Sequence, residues 1–173
     1  SDSLFNLEIN NKEKINFEKI KNYDLIILNS LKNIQKSLVD YLRKNIENGK
    51  NVFLFPNENI DIKSYNYAMR ELKGDEIIKL TKNVTELNKI NFEHLIFENV
   101  FKSTKENIQL PKTSAHFKIN TKNLNQRNKI LNFANNDPFL IEYKNFKGSF
   151  YFCTSPLSKS SNNLTKNAIF LPI

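Results

Sequence analysis

The chain has 173 residues, which suits one domain that can bury roughly 70% of its unfolded surface without disulfides or metal ions. Its formal net charge of +8 comes from 26 Lys and Arg residues against 18 Asp and Glu residues. The basic residues are spread along the chain between acidic ones, and the Asn and Lys bias is typical of a low-GC genome. We therefore expect one domain over residues 1–173 and no nucleic-acid partner.

The first predicted elements are short. Leu4 to Ile9 have the alternation of a strand, and a turn at Asn10-Asn11 leads into a helical pattern that ends near Lys21. Tyr23 to Leu28 then form a continuous apolar run. Such a run is typical of a parallel strand that is covered on both faces.

An amphipathic helix pattern follows directly, with apolar residues at helical spacing from Leu31 to Ile46. Gly49 stands where a left-handed cap would end this helix, and Val52 to Pro56 form a second apolar run. A strand, a helix and a strand in immediate succession predict a βαβ unit with a right-handed crossover. Such a unit places helices on both faces of its sheet.

The middle of the chain is less regular. The pattern predicts a helix from Ile62 to Leu72 and a short strand from Ile77 to Leu80. From Leu87 to Gln109 the apolar and aromatic residues show no clean period. We expect an irregular insertion there, which ends before Pro111.

The final third has the pattern of antiparallel hairpins, which we expect at the edge of the sheet. Its apolar or alternating runs cover residues 115–119, 130–134, 139–143 and 149–154, with turns at 135–137 and 145–148. The sequence therefore predicts an α/β fold, a flavodoxin-like three-layer sandwich with a mainly parallel sheet and antiparallel C-terminal strands.

Three side chains could act as a nucleophile or a base, and each has a simpler explanation. Cys153 is the only cysteine, which excludes an internal disulfide, and it has no flanking glycine to form a nucleophile elbow. His94 and His116 lie in apolar surroundings without a clustered carboxylate. This setting is a poor signal for catalysis or for metal binding. We predict no catalytic residue and no metal ligand.

Other kinds of site lack the residues that they require. The only glycines, Gly49, Gly74 and Gly148, are explained by caps and turns, which excludes a phosphate-binding loop. An adhesion-type metal site would need an Asp-x-Ser-x-Ser run after a strand, and no such run follows Asp24. Most Phe and Tyr residues fall in strand patterns and are expected in the core. We predict no cofactor. The spacing of the acidic residues does not pair any of them for general acid–base catalysis; examples are Asp61, Glu71, Glu93 and Glu98.

Several phrases of the sequence carry a family resemblance through their order and spacing. They are residues 23–29 (YDLIILN), 47–49 (ENG), 53–56 (FLFP), 65–66 (YN), 94–101 (HLIFENVF), 109–111 (QLP), 138–140 (PFL), 148–152 (GSFYF), 155–157 (SPL), 161–163 (SNN) and 168–173 (AIFLPI). Together they resemble a family of membrane-anchored proteins of the Bacteroidetes, the BatA-type proteins of aerotolerance operons.

This resemblance implies a domain with a fold similar to class I glutamine amidotransferases, located between membrane segments. It implies that residues 1–173 are the periplasmic domain of an inner-membrane protein, cut before a closing transmembrane helix. It also implies that a strand and a helix of the fold precede Ser1. True amidotransferases carry a cysteine between glycines at a strand-to-helix elbow, and nothing after Pro56 supplies one. No catalytic residue of that family can be assigned here.

The predicted function is a non-catalytic binding or scaffolding domain, with other envelope proteins as partners and with the membrane reached through segments outside this chain. Three alternatives stay open. An exposed Cys153 beside a histidine would favour a degenerate hydrolase or amidotransferase. At least two solvent-facing aromatic rings along a groove would favour a carbohydrate- or peptide-binding module. A contiguous basic face would favour a nucleic-acid binder.

Overall fold

A computed structural model describes residues 6–10, 15–98, 110–121, 127–144 and 146–166. The α-helices in these ranges are Phe17–Ile20 (α1), Lys36–Glu47 (α2) and Ile62–Glu71 (α3), and Leu95–Phe97 and Leu164–Lys166 form short 3-10 helices. The strands are Leu25–Leu31 (β1), Asn51–Pro56 (β2), Ile77–Thr81 (β3), Thr85–Ile90 (β4), Lys112–Thr113 (β5), His116–Ile119 (β6), Arg127–Phe133 (β7), Pro138–Tyr143 (β8) and Phe150–Cys153 (β9).

Seven of these strands form one mixed sheet in the order β1-β2-β9-β8-β7-β4-β5, and β3 pairs with β6. Within the large sheet, β2 pairs in parallel with β1 and with β9, and the other neighbours are antiparallel. Phe53 in β2 lies opposite Ile27 in β1 and opposite Tyr151 in β9. The parallel part of the sheet is therefore three strands wide.

The βαβ unit predicted from the sequence is present as β1, α2 and β2. The apolar stripe of α2, which includes Leu38, Val39, Leu42 and Ile46, is buried in the core. Gly49 ends the helix with a φ of 97°, in the left-handed conformation that glycine adopts without steric cost. The second predicted helix is also confirmed as α3.

Two hydrophobic clusters cover the two faces of the sheet. The first cluster contains the buried side chains of α2 and α3, together with residues of the strands such as Val52 and Phe152. The second contains Phe53, Phe133 and Cys153 and no residue of α1, α2 or α3. Its outer layer comes from the two 3-10 helices, through Phe97 and Leu164, and from the segments around them. In the described ranges, α-helices therefore pack on one face only.

This arrangement contradicts the predicted fold class. A flavodoxin-like or amidotransferase-like three-layer sandwich needs a mainly parallel sheet with helices on both faces. The protein instead has a mostly antiparallel, seven-stranded mixed sheet with few helices. The prediction was wrong because one βαβ unit was extended to the whole sheet. The C-terminal strands supply most of the pairing, and no further βαβ unit follows β2 in the described ranges.

Four predictions about single elements are also corrected. The first strand of the βαβ unit is not covered on both faces, since Leu25 and Ile27 are exposed. The C-terminal hairpin strands β8 and β9 lie in the middle of the sheet, because β9 inserts beside β2. The segment read as irregular after Leu87 belongs partly to a strand, β4. Residues 6–10 form no strand, and the rest of the predicted N-terminal strand and residues 99–109 lie outside the described ranges.

Candidate functional site

The carboxyl ends of β1, β2 and β9 lie at one edge of the sheet because these three strands are parallel. In α/β sheets the crevice outside the carboxyl ends of parallel strands is the usual place for a ligand. Ser30 lies near the end of β1 at this edge, and the loops that leave the other two strands contain Asn57 and Glu58 after β2 and residues 158–161 after β9. Polar groups of the β1 end and of both loops meet here.

Hydrogen bonds from one loop at this edge converge on the Glu58 carboxylate. Its Oε1 atom accepts hydrogen bonds from the hydroxyls of Ser158 at 2.8 Å, of Ser160 at 3.0 Å and of Ser161. These bonds, led by that of Ser161, hold the pKa of Glu58 below its ordinary value, with a smaller contribution from Lys82. No described residue donates to Oε2. The carboxylate is thus fixed, charged and half-buried, with one oxygen left to accept a donor.

The end of β1 is tied to the loop after β2, which contains this glutamate. The Asn57 side-chain amide donates to the backbone oxygen of Ser30 at 3.2 Å, and its oxygen accepts the N–H of Asn59 at 2.9 Å. Ser30 has a φ of 62°, which is uncommon for a residue other than glycine. Backbone strain of this kind is concentrated at sites where the structure must hold a loop in place.

A buried asparagine, Asn162, anchors the loop of residues 158–161. The Asn162 amide donates to the Ser155 hydroxyl at 3.1 Å, and its oxygen accepts the N–H of Leu164 at 2.9 Å. The Ser155 hydroxyl in turn donates to the backbone oxygen of Ala115 at 2.8 Å. Since Asn162 and Ser155 are both buried, the loop that presents the three hydroxyls to Glu58 is anchored in the core. We call Glu58, Ser158, Ser160 and Ser161 the Glu58 cluster.

A second carboxylate, Glu142, is buried in the middle of the sheet and is fully engaged. It accepts hydrogen bonds from Ser149 at 2.6 Å, Asn128 at 2.8 Å, His94 at 2.9 Å and Tyr151 at 3.0 Å. Burial alone would raise the pKa of Glu142, but these four donors outweigh burial and hold the pKa well below its ordinary value. The network leaves no acceptor position of Glu142 directed at solvent.

Both ring nitrogens of His94 form hydrogen bonds within the protein. Its Nδ1 accepts the backbone N–H of Ile96 at 3.2 Å, so Nε2 carries the proton and donates to Glu142. The imidazole thus caps the 3-10 helix at Leu95–Phe97 and connects it to β8. This geometry describes a structural histidine, because neither nitrogen is available to a substrate.

A third carboxylate, Asp75, is fully buried and paired. The Arg127 guanidinium donates to both of its oxygens at 3.0 Å, and the Tyr143 hydroxyl donates at 3.2 Å. Burial, with the Asp75 charge beside it, raises the pKa of Tyr143. The cluster joins the turn after α3 to the start of β7 and the end of β8. A buried pair of this kind holds elements together rather than binding a ligand.

Cys153 and His116, the other two candidates from the sequence, lie apart from the Glu58 cluster. Cys153 is fully buried, donates to the backbone oxygen of Ser155 at 3.3 Å, and has its pKa raised to about 12 by burial. The nucleophile in a thiol hydrolase is the thiolate, which needs a lowered pKa and access. His116 is buried against Phe133, and its Nε2 lies 3.8 Å from Asp137. The structure does not place either residue in a triad.

The remaining predicted candidates are dispersed. Asp61 caps α3 by accepting the N–H of Lys63 at 3.1 Å, and Glu71 pairs with Arg70. Glu93 and Glu98 are exposed. Within the described ranges no group of three or more His, Cys, Asp and Glu side chains could hold a metal ion. Every described Phe and Tyr is buried or half-buried, so exposed aromatic rings do not line a groove in this part of the chain.

Sequence reasoning missed both Glu58 and Glu142. Glu142 interrupts an otherwise apolar, completely buried strand, and a lone carboxylate in such a run signals a buried polar network. For Glu58 the available signal was the serine-rich stretch at 158–161. That stretch is about a hundred residues away from Glu58 in sequence, and only the parallel pairing of β2 with β9 brings them together.

No family model matches the sequence, and no curated protein matches it. Among the described residues, no helix is both long enough and apolar enough to cross a membrane. The BatA-type resemblance therefore stays a prediction.

Solved structures do match the fold. A cytoplasmic protein of Salmonella typhimurium is similar over 91% of this chain and 71% of its own, with a TM-score of 0.64 and 12% identity. Another from Salmonella typhimurium LT2 is similar over 83% of this chain and 64% of its own, with a TM-score of 0.63 and 14% identity. A β-galactosidase from Rahnella is similar over 88% of this chain but 22% of its own, with a TM-score of 0.59 and 12% identity. At these identities the likeness shows the fold alone.

Proposed function

We propose that this chain is a non-catalytic binding domain, and that the Glu58 cluster holds a basic side chain of a partner protein. The observation that carries the proposal is the unequal use of the two Glu58 oxygens. Three serine hydroxyls fix Oε1, while no described residue donates to Oε2. A carboxylate held in this way forms a strong, charge-assisted hydrogen bond with a Lys or Arg side chain.

Binding is favoured over catalysis by what surrounds the carboxylate. The contacts of Glu58 are hydroxyl donors, and the two histidines contact Glu142 and the Phe133–Asp137 turn instead. General acid–base work needs a group whose pKa lies near the operating pH. The serine hydroxyls move the pKa of Glu58 downwards, away from neutrality. A constantly charged acceptor suits recognition of a cation.

A protein ligand is favoured over a carbohydrate because sugars are commonly bound against exposed aromatic rings. Every Phe and Tyr in the described ranges is buried or half-buried. The carbohydrate-binding alternative, and the glycosidase activity named for the Rahnella neighbour, therefore have less support than a polypeptide partner.

We further propose that this domain belongs to a membrane-anchored envelope protein, faces the periplasm and binds other envelope proteins. The support is the BatA-type resemblance, in which eleven short phrases keep their order along the chain. The reading frame around residues 1–173 tests this proposal. Hydrophobic segments of membrane-spanning length on both sides are expected, and a frame without any such segment would contradict membrane anchoring.

The Glu58 proposal is tested by an NMR titration of the ¹⁵N-labelled protein with a short Lys- and Arg-containing peptide, an acidic peptide of equal length, and mannose. We expect the basic peptide to shift the backbone amides of residues 158–161. In Glu58→Gln the Kd should rise at least about tenfold, and in the exposed control Glu93→Gln it should not change. Equal binding by wild type and Glu58→Gln would contradict the proposal, and shifts caused by mannose alone would favour a carbohydrate ligand.

A further inference from the structure

In the described part of the chain, the outer edge of β1 has no strand beside it. Asn51 donates its backbone N–H to the backbone oxygen of Asp24 at 3.0 Å. In a parallel ladder this pairing directs the backbone groups of Asp24, Ile26 and Leu28 towards β2. Those of Leu25, Ile27 and Asn29 must then face away from the sheet. No described strand pairs with this side of β1, which is the outermost strand at its end of the sheet.

Within the described ranges this edge has few of the features that usually protect an edge strand. Such strands are blunted by Lys or Pro residues, by β-bulges, by very short length or by a covering segment, and of these β1 shows only a register irregularity between Asn29 and Leu31. The other edge of the sheet follows this rule, because β5 has two residues, begins with Lys112, and is bridged by Asn162 through Thr113. In contrast, β1 has seven residues and carries no charge from Leu25 to Leu31. Its outer face exposes 46% of Leu25 and 54% of Ile27.

Opposite charges flank the open edge at its two ends. Asp24 precedes β1 and Lys32 follows it; both are exposed, and neither forms an ion pair within the described part of the chain. If a second β1 pairs antiparallel, the Asp24 end of each strand meets the Lys32 end of the other. Parallel pairing would place like charges together, which is unfavourable. The edge is therefore complementary to itself in one orientation.

The regular part of β1 also defines where the symmetry axis passes. Ser30 has a φ of 62°, and the pairing with β2 shifts register between Asn29 and Leu31. Regular pairing is thus limited to Leu25–Asn29, whose middle residue is Ile27. We propose that two copies of this chain pair antiparallel through β1, with the two-fold axis at Ile27, so that their large sheets become one. Opposite residues share a face in such a pair, so Leu25 and Ile27 of both copies form one apolar patch.

This dimer does not depend on the proposed function. The Glu58 cluster follows the carboxyl ends of β2 and β9, whereas the pairing uses the free side of β1. If wild type and Glu58→Gln bound the basic peptide equally, the dimer would still be expected, and a monomeric protein could still bind the peptide through Glu58. The two proposals therefore fail separately.

Sedimentation equilibrium over a wide range of protein concentration tests the dimer. We expect wild type to associate reversibly to a dimer. Ile27→Lys should raise the dimer Kd at least about tenfold, because two lysines then meet at the two-fold axis. The matched control is Ile78→Lys in β3, since Ile78 has the same exposed fraction, 54%. Circular dichroism should show that both variants are folded.

Charge and cysteine variants distinguish self-pairing from other contacts. Asp24→Lys should weaken the dimer, and the double variant Asp24→Lys with Lys32→Asp should restore it. Ile27→Cys should form a disulfide-linked dimer under mild oxidation, whereas Ile78→Cys should not, and Cys153 is buried and does not interfere. A wild type that is monomeric throughout, or a dimer unchanged by Ile27→Lys, would overturn the proposal. The proposal would also be overturned if Ile27→Cys formed a disulfide with a different protein and no disulfide-linked homodimer.

Discussion

Glu142 shows how much of this fold depends on a single buried side chain. Replacing it with Gln removes the negative charge that four donors now share, from His94, Asn128, Ser149 and Tyr151. Because breaking a buried charged network leaves its partners unpaired, we expect Glu142→Gln to lower the free energy of unfolding by about 3 kcal/mol. Urea denaturation followed by circular dichroism measures this loss.

The matched control for that change is an exposed glutamate on the neighbouring part of the sheet. Glu86 in β4 pairs with Lys112, and 62% of its side chain is exposed. Glu86→Gln should therefore cost less than about 1 kcal/mol. Equal losses in the two variants would mean that the Glu142 network adds nothing to stability.

The lowered pKa of Glu142 also predicts how this difference depends on pH. A carboxylate with a lowered pKa in the folded state stabilises fully above its unfolded pKa, about 4.3, and the stabilisation is lost as the pH falls through the folded pKa. The gap between wild type and Glu142→Gln should thus be constant near neutral pH and shrink below about pH 4. A gap that widens in acid would contradict the assigned charge. Unfolding curves at several pH values provide the comparison.

At the scale of elements, the turn before β9 packs directly against the turn before β2, with no room for a side chain at Gly148. A Cβ atom added to Gly148 would lie 2.0 Å from the backbone oxygen of Lys50, and backbone cannot move aside as a flexible side chain can. The Gly148 N–H also donates to Ile46 at the end of α2. We expect Gly148→Ala to cost about 3 kcal/mol of unfolding free energy, because the two turns must separate.

Gly74 provides the control for that substitution. A Cβ atom there would first meet the terminal methyl group of Met69 at 2.8 Å, and this side chain can change its rotamer. Gly74→Ala should therefore cost clearly less than Gly148→Ala in thermal or urea unfolding. The reverse order would contradict the described contact between the two turns.

The same elements show what the sequence can and cannot predict. Helices α2 and α3 and strand β2 were predictable because each is a strongly periodic or apolar run with a recognisable end, such as Gly49. Strand β4, Thr85–Ile90, was missed because only Leu87 is buried and its polar residues show no strand period. The Glu58 cluster could not be predicted from the sequence, because it depends on the pairing of β9 with β2. Residue patterns specify elements locally, but long-range pairing has no local signal.

At the scale of the whole molecule, the decisive fact is the insertion of β9 between β2 and β8. This placement makes the centre of the sheet from the C-terminal strands, and β1 is the edge strand on the other side of β2 among the described strands. It also leaves one face without α-helices in the described ranges, where Phe97 and Leu164 complete the core. Both proposals follow from this topology: the Glu58 cluster from the junction of β2 with β9, and the dimer from the free side of β1.

A buried histidine forms one of the contacts between the small β3–β6 sheet and the large sheet, and we expect it to make the stability of the molecule sensitive to acid. His116 of β6 contacts Phe133 of β7 with ring centroids 4.4 Å apart, and no described atom forms a hydrogen bond with its ring nitrogens. Burial lowers the pKa of His116, helped by Lys118 and opposed by Asp137. Protonation of the imidazole would place a charge in this buried position, and Asp137, 3.8 Å from Nε2, compensates the cost of burial only in part.

Because the pKa of His116 is lowered on folding, the unfolded chain binds more protons below about pH 6.5. The free energy of unfolding should therefore fall as the pH decreases from 6.5, and this contribution should level off below the folded pKa. His116→Phe removes the titration and fills a similar volume, so it should cost less than about 1 kcal/mol near pH 7.5. The free energy of unfolding of His116→Phe relative to wild type, measured with urea, should increase towards pH 5. Parallel pH profiles for the two proteins would show that titration of His116 does not affect stability.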